Sequence, residues 1–198
     1  MSKGILQSKV FYCEHISASD RDILDFTVRH PEVAKGLEYY IKELALPDEM
    51  RNTMRTYLVR DLVTDGLVGY FSLKAGMVSL NEREVMDEQG RKKKEFDTVP
   101  GIEIANFAVN ESYCKMNPEI SGLGVLIFRE FIQKLAYQAA EVIGAMVLYI
   151  FALPYDSLLE RYSKSYCFLR LLPEDEVALH KRLKPAYDET CIFMYQIL

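Results

Sequence analysis

The sequence predicts an α/β domain built on a mixed sheet, and three observations carry that expectation. The apolar period switches near Met54 from helical spacing to strand-like runs rich in β-branched and aromatic residues. A nearly continuous apolar run, Ala145–Leu153, has the character of a strand covered on both faces. Between them a loop with glycines at 122 and 124 leads directly into a strongly amphipathic stretch.

In chain order, Asp20 caps a first short helix carrying Ile23, Leu24, Phe26 and Thr27, and His30-Pro31 breaks it, because proline disfavours helical geometry in the residue before it. Glu32–Leu46 resumes a helix with Val33, Leu37, Tyr40, Ile41 and Leu44 at helical spacing, closed by Pro47. Met54–Leu62 and Leu67–Leu80 read as two antiparallel strands joined at Val63-Thr64-Asp65-Gly66, where Asp-Gly signals a hairpin turn. Residues 81–98 are dominated by charge and cannot enter a core, so an exposed excursion between two strands is expected, lying near the acceptor side of a site. Gly101–Val109 returns to strand chemistry, and a helix runs from about Val125 to Ala140 with Phe128, Phe131, Ile132, Leu135 and Ala139 on its apolar face. After the Ala145–Leu153 strand come a helix over Tyr155–Ser165, a short strand within Cys167–Leu172, a helix over Pro173–Leu183 and a terminal strand over Cys191–Leu198.

At 198 residues the chain fits one domain, 1–198, and 49% hydrophobic with 27% charged residues is the profile of a globular chain. No apolar run approaches the roughly 18 residues a bilayer demands, and the start lacks a secretory h-region, which together favour the cytoplasm. Cys13, Cys114, Cys167 and Cys191 are scattered without C-x-x-C or zinc spacing, so free thiols and no metal are expected. The net charge of −5 argues against a broad nucleic-acid surface, and Arg91-Lys92-Lys93-Lys94 is flanked by acids, as in a solvated loop tip.

The loop Pro118-Glu119-Ile120-Ser121-Gly122-Leu123-Gly124-Val125 follows a strand and opens a helix. Free amides and aligned dipoles at a helix start suit a diphosphate, and glycine lets backbone approach it closely; the same glycines also serve as plain turn devices. This stretch resembles motif A of the GNAT acetyltransferases, a Gln or Arg, two residues, Gly, one residue, then Gly or Ala, with Gly122 and Gly124 matching and Glu119 standing at the first position. The resemblance covers the chain from about Met54 onward. It implies a GNAT-like acyl-CoA N-acyltransferase fold, a central sheet that is mixed but mostly antiparallel and flanked by helices, with acetyl-CoA as acyl donor. It further implies that Ile120, Ser121, Gly122, Leu123, Gly124 and Val125 cradle the diphosphate, and that Phe107, Ala108 and Val109 hold the pantetheine arm. Tyr155–Tyr162 resembles the helix bordering the cofactor, where the family continues with Tyr and then Gly-Phe; here Ser163-Lys164-Ser165-Tyr166-Cys167-Phe168 follows, with Cys in place of Gly.

Acetyl transfer to an amine needs a base, an oxyanion cradle and a proton for the departing thiolate. Glu103, in a strand resembling the acid-bearing strand of histone-type members, is the candidate base; it lies about 13 Å along the strand from Phe107, so a water relay is expected, and a solvated surface Glu is the other reading. Tyr162 is the candidate acid, with Tyr166 as the fallback, against the reading of a tyrosine packed on the sheet. Asn106 either contacts ligand or is a buried structural amide. The expected function is transfer of acetyl from acetyl-CoA to a primary amine of a small molecule or peptide in a ternary complex. Nucleic acid and membrane are not expected as partners, and homodimerisation is left open. The alternatives are a non-catalytic acyl-CoA sensor or scaffold and a toxin-like aminoacyl-tRNA acetyltransferase.

Overall fold

The structure, a computed structural model, describes residues 4–183 and 190–198. It comprises two compact units, Met1–Lys74 with Ile104–Leu135 and Ala75–Glu103 with Ala136–Leu198. Strands β4 (Leu67–Met86) and β5 (Lys92–Val109) each begin in one unit and end in the other.

The first unit carries β1 (Leu6–Gln7), β2 (Phe11–His15) and β3 (Arg55–Asp61), in the strand order β1-β2-β3-β4-β5. β1, β2, β3 and β4 pair antiparallel in succession. The turn between β3 and β4 is built as the sequence suggests. Asp65 adopts a left-handed φ of 63°, and the Asp61 carboxylate accepts from the amides of Val63 and Thr64 at 2.8 and 3.0 Å. Helices α1 (Pro31–Tyr39) and α2 (Ala45–Met50) flank a π-helical turn at Tyr40–Leu44. Together they cover Phe26, Ile41, Leu58, Tyr70 and Ala108, a core whose large side chains each contribute roughly 1.5–3 kcal/mol on burial. Tyr70 is fully buried, and its hydroxyl donates to the Leu37 carbonyl at 2.6 Å.

The second unit holds β6 (Val147–Ala152), β7 (Leu169–Arg170) and β8 (Ile192–Ile197), in the order β4-β5-β6-β8-β7. β6 pairs with β5 in parallel and with β8 antiparallel, which makes the sheet mixed but mostly antiparallel, as expected. Val78, Tyr149, Phe151, Leu179, Cys191 and Phe193 form its core, with Leu179 contributed by α7 (Pro173–His180). Among the described residues no helix is long and apolar enough to cross a membrane.

Several elements differ from expectation. Asp20 makes no capping bond; a short 3₁₀ turn at Arg21–Asp25 forms instead, and Asp20 bonds Arg60. Pro47 does not end its helix: the wide turn at 40–44 restarts helical bonding at Ala45, which puts Pro47 in a first turn where its missing N–H is harmless. Residues 81–98 are not a separate excursion, because β4 and β5 run on as a hairpin turning at Gly90 (φ 73°), with Lys92 paired to Glu84 at 3.1 Å. β1, β2 and α3 (Glu111–Met116) had no counterpart in the sequence reading.

Helix α6 (Asp156–Tyr166) ends at Cys167, which has φ 59°, and the amides of Cys167 and Phe168 both reach the Tyr162 carbonyl. This is the left-handed helix end usually occupied by glycine. Cys167→Gly is therefore expected to stabilise the fold by about 1 kcal/mol, raising Tm by about 2–4 °C in thermal unfolding. An unchanged or lower Tm would mean that the thiol's contacts outweigh the backbone strain.

Candidate active site

In the first unit, Asn110 fixes the end of β5. Its amide nitrogen donates to Leu67 O at 2.8 Å, and its oxygen accepts from the amides of Thr27 and Ser112, each at 3.2 Å. The chain then passes through α3 to Pro118 and turns at Gly122, whose φ of 72° is left-handed and whose missing Cβ would meet nothing within 4 Å. Helix α4 (Leu123–Ile127) starts there and continues through a π-helical turn (Phe128–Ile132) into α5 (Gln133–Ile143). The expected helix start at Val125 thus moves to Leu123. The Ile120 amide is taken by Asn117 O at 3.1 Å and lies outside any cradle. For the amides of Ser121, Gly122, Leu123, Gly124 and Val125 there is no acceptor among the described residues, as at any helix start. Ser121 and Gly122 are exposed, and Gly124 and Val125 half-buried.

The expected pantetheine strand lies beside this helix. A Cβ on Gly69 of β4 would stand 2.7 Å from Ala108 O, 2.9 Å from Ile127 Cδ1 and 3.4 Å from Val109 Cα. Gly69 is thus where β4, the 107–109 segment and α4 meet, and only glycine permits that approach. Phe107 and Val109 are half-buried, and Ala108 is buried. Asn106 is half-buried and its amide points to Met54 Sδ at 3.7 Å, a long contact.

Glu103 and Tyr162 belong to the second unit. Glu103 is 8% exposed, so it is not a solvated surface residue. It stands directly opposite Tyr149 of β6, at the last of the three registers in which β5 and β6 pair. Burial first, then the nearby Glu103 charge, push the Tyr149 phenol well above its ordinary range. Tyr162 and Tyr166 are both buried in an aromatic group with Phe168, their ring centroids 5.3 Å apart. Burial pushes the Tyr166 phenol up, and Arg161 opposes that. Gly76 and Gly101, glycines within strands, leave room for the Tyr149 side chain, which a Cβ at either position would meet.

A cleft of about 700 Å³ elsewhere in the first unit is lined by Tyr12, Glu14, Asp20, Asp22, Arg60 and Asp65 among others. Its buried cation, Arg60, already bonds Glu14, Asp20 and Asp22 at 2.6–2.8 Å, so it is not available to an anionic ligand.

No family model matches the chain, and no curated protein matches it. Solved structures do. AtaT complexed with acetyl-methionyl-tRNAfMet superposes with a TM-score of 0.64 at 14% identity, over 94% of this chain and 94% of that one. A Tyr→Phe variant of the AtaT toxin bound to the C-terminus of the antitoxin AtaR and acetyl-CoA gives 0.61 at 14% identity, over 94% and 92%. The KacTA–DNA complex gives 0.62 at 17%, over 94% and 92%. These likenesses correct one expectation. A small-molecule or peptide acceptor with nucleic acid excluded does not stand when chains of this fold are solved with tRNA and DNA. The physical reason is that a net charge of −5 sums the whole surface, including acids such as Asp20 that are neutralised inside the protein, whereas nucleic acid reads local charge. At this identity the comparison establishes the fold, which is the GNAT-like acyl-CoA N-acyltransferase fold of these toxins.

Proposed function

We propose that residues 1–198 form one acetyltransferase domain that moves acetyl from acetyl-CoA to the α-amine of an aminoacyl-tRNA. The observation that carries the reading is the run of amides at Ser121–Val125 with no acceptor among the described residues, at a helix start where Ser121 and Gly122 are exposed and a Cβ on Gly122 would meet nothing within 4 Å, which fits a diphosphate. Phe107, Ala108 and Val109 hold the pantetheine arm through their backbone.

The acceptor follows from chemistry and likeness together. An alkyl amine with a pKa near 10.4 is about 0.1% neutral at pH 7.4, whereas an α-amine near 7.7–8.0 is about a quarter neutral. A buried carboxylate suffices as base for the second, and AtaT, of the same fold, is solved with acetyl-methionyl-tRNAfMet. The amine nitrogen bonds the thioester carbonyl carbon and the C–S bond breaks. Glu103 takes the amine proton, directly or through water, and Tyr162, or Tyr166 one turn on, protonates the thiolate.

The test is incubation of the purified protein with radiolabelled acetyl-CoA and charged tRNAs, with polyamines and free amino acids as controls. Label on aminoacyl-tRNA, suppressed by salt, is expected. Acetyl-CoA binding with no turnover would make the chain a sensor, and label on small amines alone would overturn the acceptor. Gly122→Asp sets a carboxylate at the diphosphate in a residue type that tolerates left-handed backbone, so acetyl-CoA Kd should rise at least about ten-fold by calorimetry. Gly122→Asn, the neutral control, should bind nearly as the native chain does.

A further inference from the structure

We propose that Tyr40, Met54 and Asn106 form the subsite that reads the aminoacyl group of the acceptor, with the Asn106 amide bonding its α-amine and its ester carbonyl. The inference rests on the proposed transfer, in which Phe107, the next residue along β5, begins the segment that holds the pantetheine arm.

All three residues lie in the first unit, and they meet at one sulfur atom. Tyr40, 7% exposed, donates its hydroxyl to Met54 Sδ at 3.3 Å, and Asn106 Nδ2 points at the same sulfur from β5 at 3.7 Å. A thioether is a weak acceptor, so two donors converge where an oxygen would bond them better. The tyrosine is set up to donate. Its oxygen also meets Thr56 Oγ1 at 3.3 Å, and Thr56 Oγ1 meets Ser72 Oγ at 2.9 Å, with Thr56 and Ser72 both fully buried. With the Tyr40 proton on the sulfur, the chain of hydroxyls runs from Ser72 through Thr56 to Tyr40 and strengthens that donation. Burial, the larger influence, pushes the Tyr40 phenol up, so the hydroxyl keeps its proton at neutral pH.

Asn106 is not held as a structural asparagine is. Four residues on, Asn110 commits its amide to three backbone partners at 2.8–3.2 Å. Asn106 is half-buried inside a strand, a poor place for asparagine, and among the described residues its side chain makes one bond, the long one to sulfur. Its oxygen accepts from no donor there. A shielded amide short of partners is unfavourable until a ligand completes its bonding. An α-amino ester supplies what is missing: its carbonyl oxygen accepts from Asn106 Nδ2 and the Tyr40 hydroxyl, and its amine donates to Asn106 Oδ1. Met54, unbranched and with three rotatable bonds, turns aside and lays its thioether against the acceptor's side chain. A simple alkyl amine has no carbonyl to offer these donors.

The probe is a 3′-aminoacylamino-adenosine, a stable amide analogue of a charged tRNA end, with 3′-aminoadenosine and putrescine as controls that lack the α-amino acyl group. By calorimetry on the full chain with coenzyme A present, the probe should bind at least about ten-fold more tightly than either control. Asn106→Ala and Tyr40→Phe should each weaken probe binding by about three- to ten-fold, the worth of one neutral hydrogen bond, and leave coenzyme A affinity unchanged. In ¹⁵N-asparagine-labelled native protein, the Asn106 side-chain amide signal should shift when the probe is added, a readout that depends neither on turnover nor on a variant that folds. A signal that stays in place, or probe affinity within about two-fold of native in both variants, overturns the subsite, and acetylation of aminoacyl-tRNA by the same protein would leave the proposed transfer standing. Probe binding that depends on Asn106 in a chain that acetylates nothing would uphold the subsite and overturn the proposed function instead.

Discussion

Glu103→Gln should lower kcat for aminoacyl-tRNA acetylation by about 10²–10⁴-fold at pH 7, with acetyl-CoA affinity within about two-fold of the native chain. Glutamine keeps the shape of glutamate, so the fold should survive; what is lost is the capacity to accept a proton. The deficit should narrow above about pH 8, where an α-amine near pKa 7.7–8.0 is already neutral and needs no base. Steady-state kinetics on one charged tRNA between pH 6 and 9 would measure both effects. Activity within a few-fold of native across that range would remove Glu103 from the mechanism, and the same loss at every pH would point to a structural role. The burial of Glu103 makes this the sharper of the two catalytic assignments. Tyr162 sits in an aromatic group with Tyr166 and Phe168.

Where local pattern decides structure, the sequence was readable. The change of period at Met54, Asp65-Gly66 at the turn and the apolar run at 147–152 all reappear as β3, the β3–β4 hairpin and β6. Pro47 is read wrongly from its neighbours alone, because the five-residue π-helical turn at Tyr40–Leu44, whose bonds each span one residue more than an α-helix's, moves those neighbours. The charge-rich 81–98 stretch misled because strand exclusion was argued from burial, whereas a hairpin in water needs cross-strand pairs such as Lys92–Glu84 and no core. β2 is not legible although Phe11, Tyr12 and Cys13 are all buried, because five residues with consecutive rather than alternating buried positions carry no strand period. Gly122 and Gly124 were visible as a motif. Tyr149 was not, because its place opposite Glu103 depends on which strand lies beside β5, and nothing local encodes that pairing.

Arg60→Leu should be the most destabilising single change outside the hydrophobic cores, costing about 3–5 kcal/mol. The Arg60 side chain is 6% exposed and uses its whole fork: Nε donates to Glu14 at 2.6 Å, Nη1 to Asp22 at 2.6 Å and to Asp65 O at 3.2 Å, and Nη2 to Asp20 at 2.8 Å. Three carboxylates thus share one cation, and a leucine would leave all three facing one another. They do not count equally. Asp22 is 42% and Glu14 35% exposed, so water screens them, whereas Asp20 is 13% exposed and also accepts the Ser17 amide at 2.6 Å. Asp22→Asn should therefore cost under about 1 kcal/mol, in the range of surface pairs, and Asp20→Asn clearly more. Arg60→Lys should fall between, since an ammonium keeps the charge but cannot reach three acids with a planar fork. Urea unfolding of the four variants orders them, and Arg60→Leu should unfold about 10 °C earlier on heating. If Arg60→Leu proved no less stable than Asp22→Asn, the network would be a solvated ornament on β3, and the loop 17–22 would have to be held by Ile16 and Ile23 packing into the core instead.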